Sequence, residues 1–330
     1  MKNYAMYGVG LATLAGLLFG GCVNHQAIKN EPIVMAPPYY YEESLKQQSE
    51  EEKNKKELEQ KLALRKEWQK PMSIDTLYST IEHDVKKNKP LIIASYIGVW
   101  PDGTSADNNI YWGQSHAHMF NNSDWKKIYL EKRSEDPVRI AVYGKTFKNG
   151  KWGDSLRILN VYLVYNDLRK AALEMTLNLK YDNNRKIVLP DSQEINLSDA
   201  RIVGYIGHNF YFDKRALGKD YACDSLDNMI NIPKEMKGVF CVGCWTSYDF
   251  TNLVESNIYG LLFTQYHGIG DGFTMYPGAF NLRAFADGIG NRKSGQEIVN
   301  ICNEEYARLQ GLSNITLFTN QEKGLFIQDR

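Results

Sequence analysis

Two short apolar runs in the middle of the chain each end in a side chain that can take part in covalent catalysis. The first run, Arg201-Ile-Val-Gly-Tyr-Ile-Gly-His, ends at His208, and the second, Gly238-Val-Phe-Cys-Val-Gly-Cys, ends at Cys244. In an open α/β sheet, the crevice outside the carboxyl ends of the strands is where sites are built. A histidine and a cysteine on neighbouring strand ends can form a thiolate–imidazole pair, whose thiolate attacks a carbonyl carbon. The two runs therefore predict a cysteine-based site.

The histidine pair His116 and His118 suggests a different chemistry. Both lie in Trp112-Gly-Gln-Ser-His-Ala-His, and residues two apart point to one side of an extended segment, which suits a metal. Metal-bound water that loses a proton would make the chain a hydrolase of another class. No third histidine or carboxylate motif follows at a spacing typical of a metal site. The sequence therefore favours a site with no metal and no cofactor.

Cys241 and Cys244 have Cys-x-x-Cys spacing, but no second cysteine or histidine pair follows at zinc-finger spacing. On one strand their Cα atoms would lie about 10 Å apart, beyond the roughly 7 Å that a disulfide tolerates. A cysteine inside a strand is usually a small buried side chain. Cys241 is therefore predicted to lie in the core, and the disulfide state of Cys223, Cys241 and Cys302 stays open.

A glycine-rich segment, Tyr266-His-Gly-Ile-Gly-Asp-Gly, follows a later apolar run. It lacks the Lys-Ser/Thr of a P-loop and the full dinucleotide fingerprint, so phosphate binding is not favoured. We interpret it as a rim or substrate-binding loop. His267, which is followed by Gly268, is a rival to His208 as the base, although it comes after Cys244 in chain order.

Strands and helices alternate along the part of the chain that must position these residues. Apolar runs predict strands, and helical spacing of apolar residues predicts helices. The predicted strands are 91–100, 138–143 (with a hairpin-like excursion over 144–153), 156–165, 202–206, 239–242 and 258–263, and the predicted helices are 74–87, 166–177, 279–288 and 296–309. This alternation indicates an α/β fold with a mostly parallel sheet and helices on both faces.

This order of elements resembles the caspase-like cysteine peptidases, the group that includes caspases, legumains and gingipains. In that group the catalytic histidine ends one central strand, and the catalytic cysteine ends the next in a sequence such as Ala-Cys-x-Ser or Ala-Cys-x-Gly. The matching positions here are His208 and Gly243-Cys244-Trp-Thr-Ser247. The resemblance implies a caspase-like three-layer sandwich over residues 72–330, with Cys244 as the nucleophile and His208 as the general base.

The residues around the histidine depart from the family pattern. The family usually has glycine directly after the histidine, and its backbone N–H helps to form the oxyanion hole; this chain has Asn209 there and Gly207 before the histidine. Asparagine tolerates the left-handed conformation better than most residues. The oxyanion and substrate loop is therefore assigned to Gly207, Asn209 and Gly243, together with His267 and Gly268. No residues for a substrate side-chain pocket can be identified.

The first residues resemble an export signal. Lys2 supplies a positive charge, residues 9–19 are a short apolar run, and Leu18-Phe-Gly-Gly-Cys22 resembles a bacterial lipobox. The run is too short to predict a membrane span. We predict a lipoprotein signal peptide over 1–21 and a lipid on Cys22 that anchors the protein to a membrane of the bacterial cell envelope. Because Phe19 is atypical, an ordinary cleaved signal peptide is the alternative.

Between this leader and the α/β domain, the composition indicates a spacer. Residues 22–41 contain several prolines and are predicted to be a linker, and residues 42–71 are rich in Glu, Lys and Gln and are predicted to be a charged helical stalk. Large apolar residues in the stalk are too sparse for a sustained heptad seam. Self-association with a second copy through a weak coiled coil is the alternative.

The charge balance excludes one class of partner and leaves two functions. Lys plus Arg and Asp plus Glu are 39 each, so the chain as a whole has no basic field for nucleic acid. The favoured function is a membrane-anchored thiol protease that hydrolyses a peptide or protein substrate with a dyad of His208 and Cys244. The alternative is a non-catalytic envelope lipoprotein whose α/β domain binds a protein or a cell-surface component.

Overall fold

The structure is a computed structural model of the chain. It describes residues 72–99, 124–181, 185–208, 233–243, 246–250, 253–254, 257–265, 277–311, 313 and 316–323. All of these belong to one compact unit. The predicted signal peptide, linker and stalk (1–71) lie outside the described residues.

Most strands of the described residues join one sheet. The strands are β1 Leu91–Gly98, β2 Lys126–Lys132, β3 Arg139–Trp152, β4 Asp154–Tyr165, β5 Lys186–Val188, β6 Glu194–Asn196, β7 Ile202–Gly207, β8 Lys237–Val242, β9 Ile258–Thr264 and β10 Phe318–Thr319. Eight of them form a sheet in the order β10-β9-β8-β7-β1-β4-β3-β2, and β5 and β6 form a separate hairpin. The α-helices are α1 Asp75–Lys86, α2 Leu168–Lys180, α3 Thr246–Asp249, α4 Pro277–Gly290 and α5 Gly295–Gln310, with 3-10 turns at Leu197–Asp199 and Gln321–Lys323.

The centre of the sheet is parallel and its edges are antiparallel. Strands β4, β1, β7, β8 and β9 pair in parallel, in that spatial order. Strands β2 and β3 extend one edge as an antiparallel meander from β4, and β10 closes the other edge against β9. Every residue of β1, β7, β8 and β9 is buried, which is typical of parallel strands that are covered on both faces. The predicted mostly parallel sheet is confirmed.

Two apolar clusters cover the two faces of the sheet. Helices α1, α4 and α5 pack on one face, where they meet side chains such as Ile93 and Ile97 of β1. Helix α2 and the β5–β6 hairpin pack on the other face, against Ala94 and Tyr96 of the same strand. Successive residues of a strand point to opposite faces, so the uninterrupted apolar run of β1 serves both clusters. The α/β sandwich with helices on both faces is confirmed.

Strand β3 is longer than the sequence predicts, and β2 was not predicted. The segment 144–153, expected as an excursion, is largely the second half of the 14-residue strand β3. Phe147 and Trp152 hold this half because both are buried, and the Trp152 indole N–H donates to the Gly290 carbonyl at the end of α4, 2.9 Å away. Strand β2, KKIYLEK, is a lysine-rich edge strand with no fully buried position, so it lacks an apolar run.

Helix α5 begins and ends at residues with clear local reasons. The Ser294 hydroxyl accepts a hydrogen bond from the Glu297 N–H, and the Glu297 carboxylate accepts one from the Ser294 N–H, which together form a capping box. At the other end Gly311 has a φ of 68°, the left-handed C-cap conformation that glycine adopts without strain. These two caps fix the length of the helix.

We expect the Glu297 carboxylate to make stability depend on pH. Hydrogen bonds from the Lys293 ammonium and the Ser294 N–H lower the pKa of Glu297 from 4.5 to about 2. A lowered pKa means that the stabilisation is fully present above pH 4.5 and is lost as the pH falls toward 2. The side chain is half exposed, so solvent screens the interaction. Glu297→Gln should therefore cost only about 0.5 kcal/mol at neutral pH.

Urea unfolding between pH 7 and pH 2.5 measures this effect. The difference in the free energy of unfolding between wild type and Glu297→Gln should become steadily smaller below pH 4.5. Glu304→Gln is the matched control, since Glu304 is an exposed carboxylate in the middle of the same helix. A gap that stays constant with pH would contradict the prediction.

Candidate active site

The candidate site lies where strands β7 and β8 end. The two strands are parallel neighbours, with Ile206 paired to Val242, so their next residues, Gly207 and Gly243, reach the same edge of the sheet. His208 directly follows β7 and is half-buried. Cys244 follows Gly243 in the chain and lies outside the described residues. The structure thus places the histidine of the predicted dyad and the strand that leads to the cysteine.

Three glycines bring the ends of β1, β7 and β8 into backbone contact. Gly98 pairs with Gly207 across β1 and β7. A Cβ atom on Gly207 would lie 2.3 Å from the Gly98 carbonyl oxygen, and one on Gly243 would lie 2.3 Å from the Gly207 carbonyl oxygen. Gly207 also has a φ of 147°, which side-chain-bearing residues rarely adopt. Only glycine fits these approaches, so the chain entering His208 touches the chain entering Cys244.

Tyr205 fixes the backbone of the candidate base. Its side chain is fully buried, and its hydroxyl donates a hydrogen bond to the His208 carbonyl oxygen over 2.7 Å. The ring stacks on Phe250 with the ring centroids 5.5 Å apart and the planes 16° from parallel. Because Tyr205 is anchored in the core at one end and bonded to His208 at the other, it limits how far the histidine backbone can move.

Two buried threonines, which we call the threonine clasp (Thr246 and Thr264), hold the end of β8. The Thr246 hydroxyl donates to the Cys241 carbonyl oxygen at 2.6 Å and accepts from the Thr264 N–H at 2.8 Å. The Thr264 hydroxyl accepts from the Gly243 N–H at 3.4 Å. These bonds join β8, β9 and the start of α3. They fix the last described residue before Cys244 and the first described residue after Trp245.

The two cysteines that the structure describes are inert by position. Cys241 on β8 and Cys302 on α5 are completely buried, and neither forms a disulfide. Burial raises the pKa of both thiols far above neutral pH. A buried neutral thiol is neither a nucleophile nor a metal ligand. The prediction that Cys241 lies in the core is confirmed.

Several residues singled out from the sequence lie outside the described part of the chain. Of the predicted oxyanion and substrate loop, Gly207 and Gly243 are described and meet at the strand ends. The singled-out residues that lie outside the described part are Cys22, His116, His118, Asn209, Cys223, Cys244, His267 and Gly268. Their mutual positions stay predictions.

Within the described residues, no group of three or more His, Cys, Asp or Glu side chains is arranged to hold a metal ion. No α-helix in the same residues has both the length and the apolar character needed to cross a membrane.

Several residues that support the site rather than react in it were not predicted from the sequence. Tyr205, Thr246 and Thr264 form hydrogen bonds to positions whose proximity depends on the fold, so no local signal marks them. Gly98 could have been found, because a glycine stands at the carboxyl end of β1 and of β7 and directly after β8. That shared ending marks a close approach of backbones.

Comparisons with known proteins give no match: neither a protein-family model, nor a curated protein, nor a solved structure matches the chain.

Proposed function

We propose that this protein is a cysteine-type hydrolase of peptide bonds, with Cys244 as the nucleophile and His208 as the general base. The contact between Gly207 and Gly243 at the carboxyl ends of two adjacent parallel strands is the observation that supports it. The caspase-like resemblance requires the histidine and the cysteine to follow neighbouring central strands. Strands β7 and β8 are neighbours near the middle of the sheet.

The proposed reaction uses groups that this chain supplies. The His208 imidazole removes the Cys244 thiol proton, and the thiolate attacks the carbonyl carbon of the scissile bond. Backbone N–H groups near Gly207 and Cys244 stabilise the oxyanion of the tetrahedral intermediate. The protonated imidazole then gives its proton to the leaving amine. Water, activated by His208, cleaves the acyl-enzyme and restores the thiol.

The proposal includes a location. A lipid on Cys22 would anchor the hydrolase to a membrane of the bacterial cell envelope, with the linker and stalk as a spacer between the membrane and the α/β domain. Two acyl chains on this cysteine would be enough for stable membrane binding, so no second membrane-binding segment is needed. The substrate would then be a peptide or protein of the envelope.

Thiol labelling tests the dyad directly. The folded protein is treated with iodoacetamide at pH 5.5 to 9, and mass spectrometry locates the modified cysteine. An ordinary thiol is only a few per cent thiolate at neutral pH, whereas a thiol beside an imidazole is largely thiolate. We therefore expect Cys244 to react at pH 6.5, and His208→Ala to slow that reaction about 10-fold or more.

The same experiment contains its controls. Buried Cys241 and Cys302 should stay unmodified until the protein is denatured, which reports that the fold is intact. His83→Ala is the matched variant, because His83 is an exposed histidine on helix α1. If Cys244 reacts only after denaturation, or is found in a disulfide, the hydrolase proposal fails. The non-catalytic envelope lipoprotein is then the favoured function.

A further inference from the structure

We propose that the threonine clasp positions Cys244 for reaction, with Thr246 as the main positioning residue and Thr264 as its partner. The inference rests on the proposed function, since it concerns the reactivity of the same thiol. It goes further by assigning a role to two residues outside the dyad. Neither threonine touches the reacting atoms in this proposal; both act through the backbone on either side of Cys244.

The hydrogen bonds of the threonine clasp involve residues both before and after Cys244 in the chain. Thr246 lies two residues after Cys244 and bonds the carbonyl of Cys241, three residues before it. The Thr264 hydroxyl, on the neighbouring strand β9, accepts a hydrogen bond from the N–H of Gly243, the residue directly before Cys244. The Thr264 N–H in turn bonds the Thr246 hydroxyl. Positions on both sides of Cys244 are thus tied to each other and to β9.

The chemistry of the clasp specifies threonine or serine rather than an apolar residue. Thr246 and Thr264 are both 0% exposed, and a buried hydroxyl is costly unless it is hydrogen-bonded. The Thr246 oxygen uses both of its capacities, donating to Cys241 and accepting from Thr264. Valine has nearly the same shape but can do neither, whereas serine keeps the oxygen. Filling an apolar core does not require these hydrogen bonds. Holding the end of β8 in one backbone geometry does require them.

The position of the Cys244 thiol controls how fast the thiol reacts. A displacement of about 1 Å between reacting groups can cost roughly 100-fold in rate. Loosening the strand end also weakens the thiolate–imidazole pair, which raises the pH at which the thiol ionises. A residue that merely stabilised the fold would change neither the pH profile nor the labelling rate of protein that is still folded.

The test measures the iodoacetamide rate of Cys244 against pH in the full-length chain. We expect Thr246→Val to slow labelling at pH 7 at least about 10-fold and to move the midpoint of the pH profile upward. Thr246→Ser should restore most of the wild-type rate. Thr176→Val is the matched control, because Thr176 is 1% exposed and its hydroxyl donates to the Ala172 carbonyl within its own helix, α2. This control should label like the wild type.

The outcomes separate the two proposals. If wild-type Cys244 does not react in the folded protein, the hydrolase and the clasp are both rejected. If wild type reacts and Thr246→Val reacts at the same rate with the same pH profile, the clasp alone is rejected. Silent Cys241 and Cys302 report folding in each variant. If Thr246→Val does not fold, Thr264→Val decides, because it keeps the Thr246 hydroxyl bonds and should still slow labelling about threefold.

Discussion

Alanine in place of Gly207 is expected to lower the free energy of unfolding by about 3 kcal/mol or more. The new Cβ atom would lie 2.3 Å from the Gly98 carbonyl oxygen. That oxygen belongs to the backbone of β1 and cannot move without disturbing the pairing of β1 with β7. The φ of 147° at Gly207 adds backbone strain, because an alanine rarely adopts it. Clash and strain act together at this position.

Urea unfolding compares Gly207→Ala with Gly150→Ala, a change at a glycine of positive φ in open space. Gly150 also has a positive φ, 70°, but an added Cβ there meets nothing within 4 Å. Gly150→Ala should therefore cost only the strain of a left-handed residue, about 1–2 kcal/mol. Equal losses for the two variants would show that β1 and β7 do not approach as closely as described. The loss for Gly207→Ala should be the larger one, because the clash and the strain of a φ of 147° add at that position.

Methionine in place of Arg201 is expected to cost about 3 kcal/mol. The Arg201 guanidinium, directly before β7, donates to the Asp84 carboxylate of helix α1, with Nε–Oδ2 and Nη2–Oδ1 distances of 2.5 and 3.2 Å. Both side chains are largely buried, 12% and 10% exposed. Arg201 also pairs with Glu235. Removing the arginine leaves a buried carboxylate without its counter-charge, and this is costlier than losing the pair as a whole.

The double variant Asp84→Leu with Arg201→Met tests that reason. It removes both charges together, so it should recover most of the stability that Arg201→Met loses. Lys186→Met is the control, because Lys186 and Glu194 form an exposed ion pair whose loss should leave the unfolding midpoint unchanged. If the double variant is as unstable as Arg201→Met, the uncompensated charge is not the cause.

Local signals in the sequence were sufficient to predict the class of fold. The apolar runs of β1, β7, β8 and β9 are buried on both faces, and such runs are typical of parallel strands. Amphipathic spacing located helices α1, α2, α4 and α5 to within a few residues, and the one-turn helix α3 was not predicted. Each of these signals lies inside one element and depends on which residues are neighbours in the chain. Whether the chain belongs to the caspase-like group is not decided by these elements, and that resemblance stays a prediction.

The parts of the sheet that the sequence did not predict are held by contacts between distant segments. Strand β2 exists because it pairs with β3, and its own residues are mostly exposed. The far half of β3 continues as a strand because Trp152 reaches α4, which lies far along the chain. Neither strand has the apolar run that a local search recognises.

For the candidate site, the apolar runs in the sequence are enough to place His208 after one buried strand and Cys244 after another. The folded chain is needed to show that these strands are β7 and β8 of one sheet, with Gly207 against Gly243. The fold also brings Thr264 of β9 to the end of β8. The order of parallel strands depends on the way in which the long crossover segments pack over the sheet. This packing leaves no signal in the residues at the strand ends.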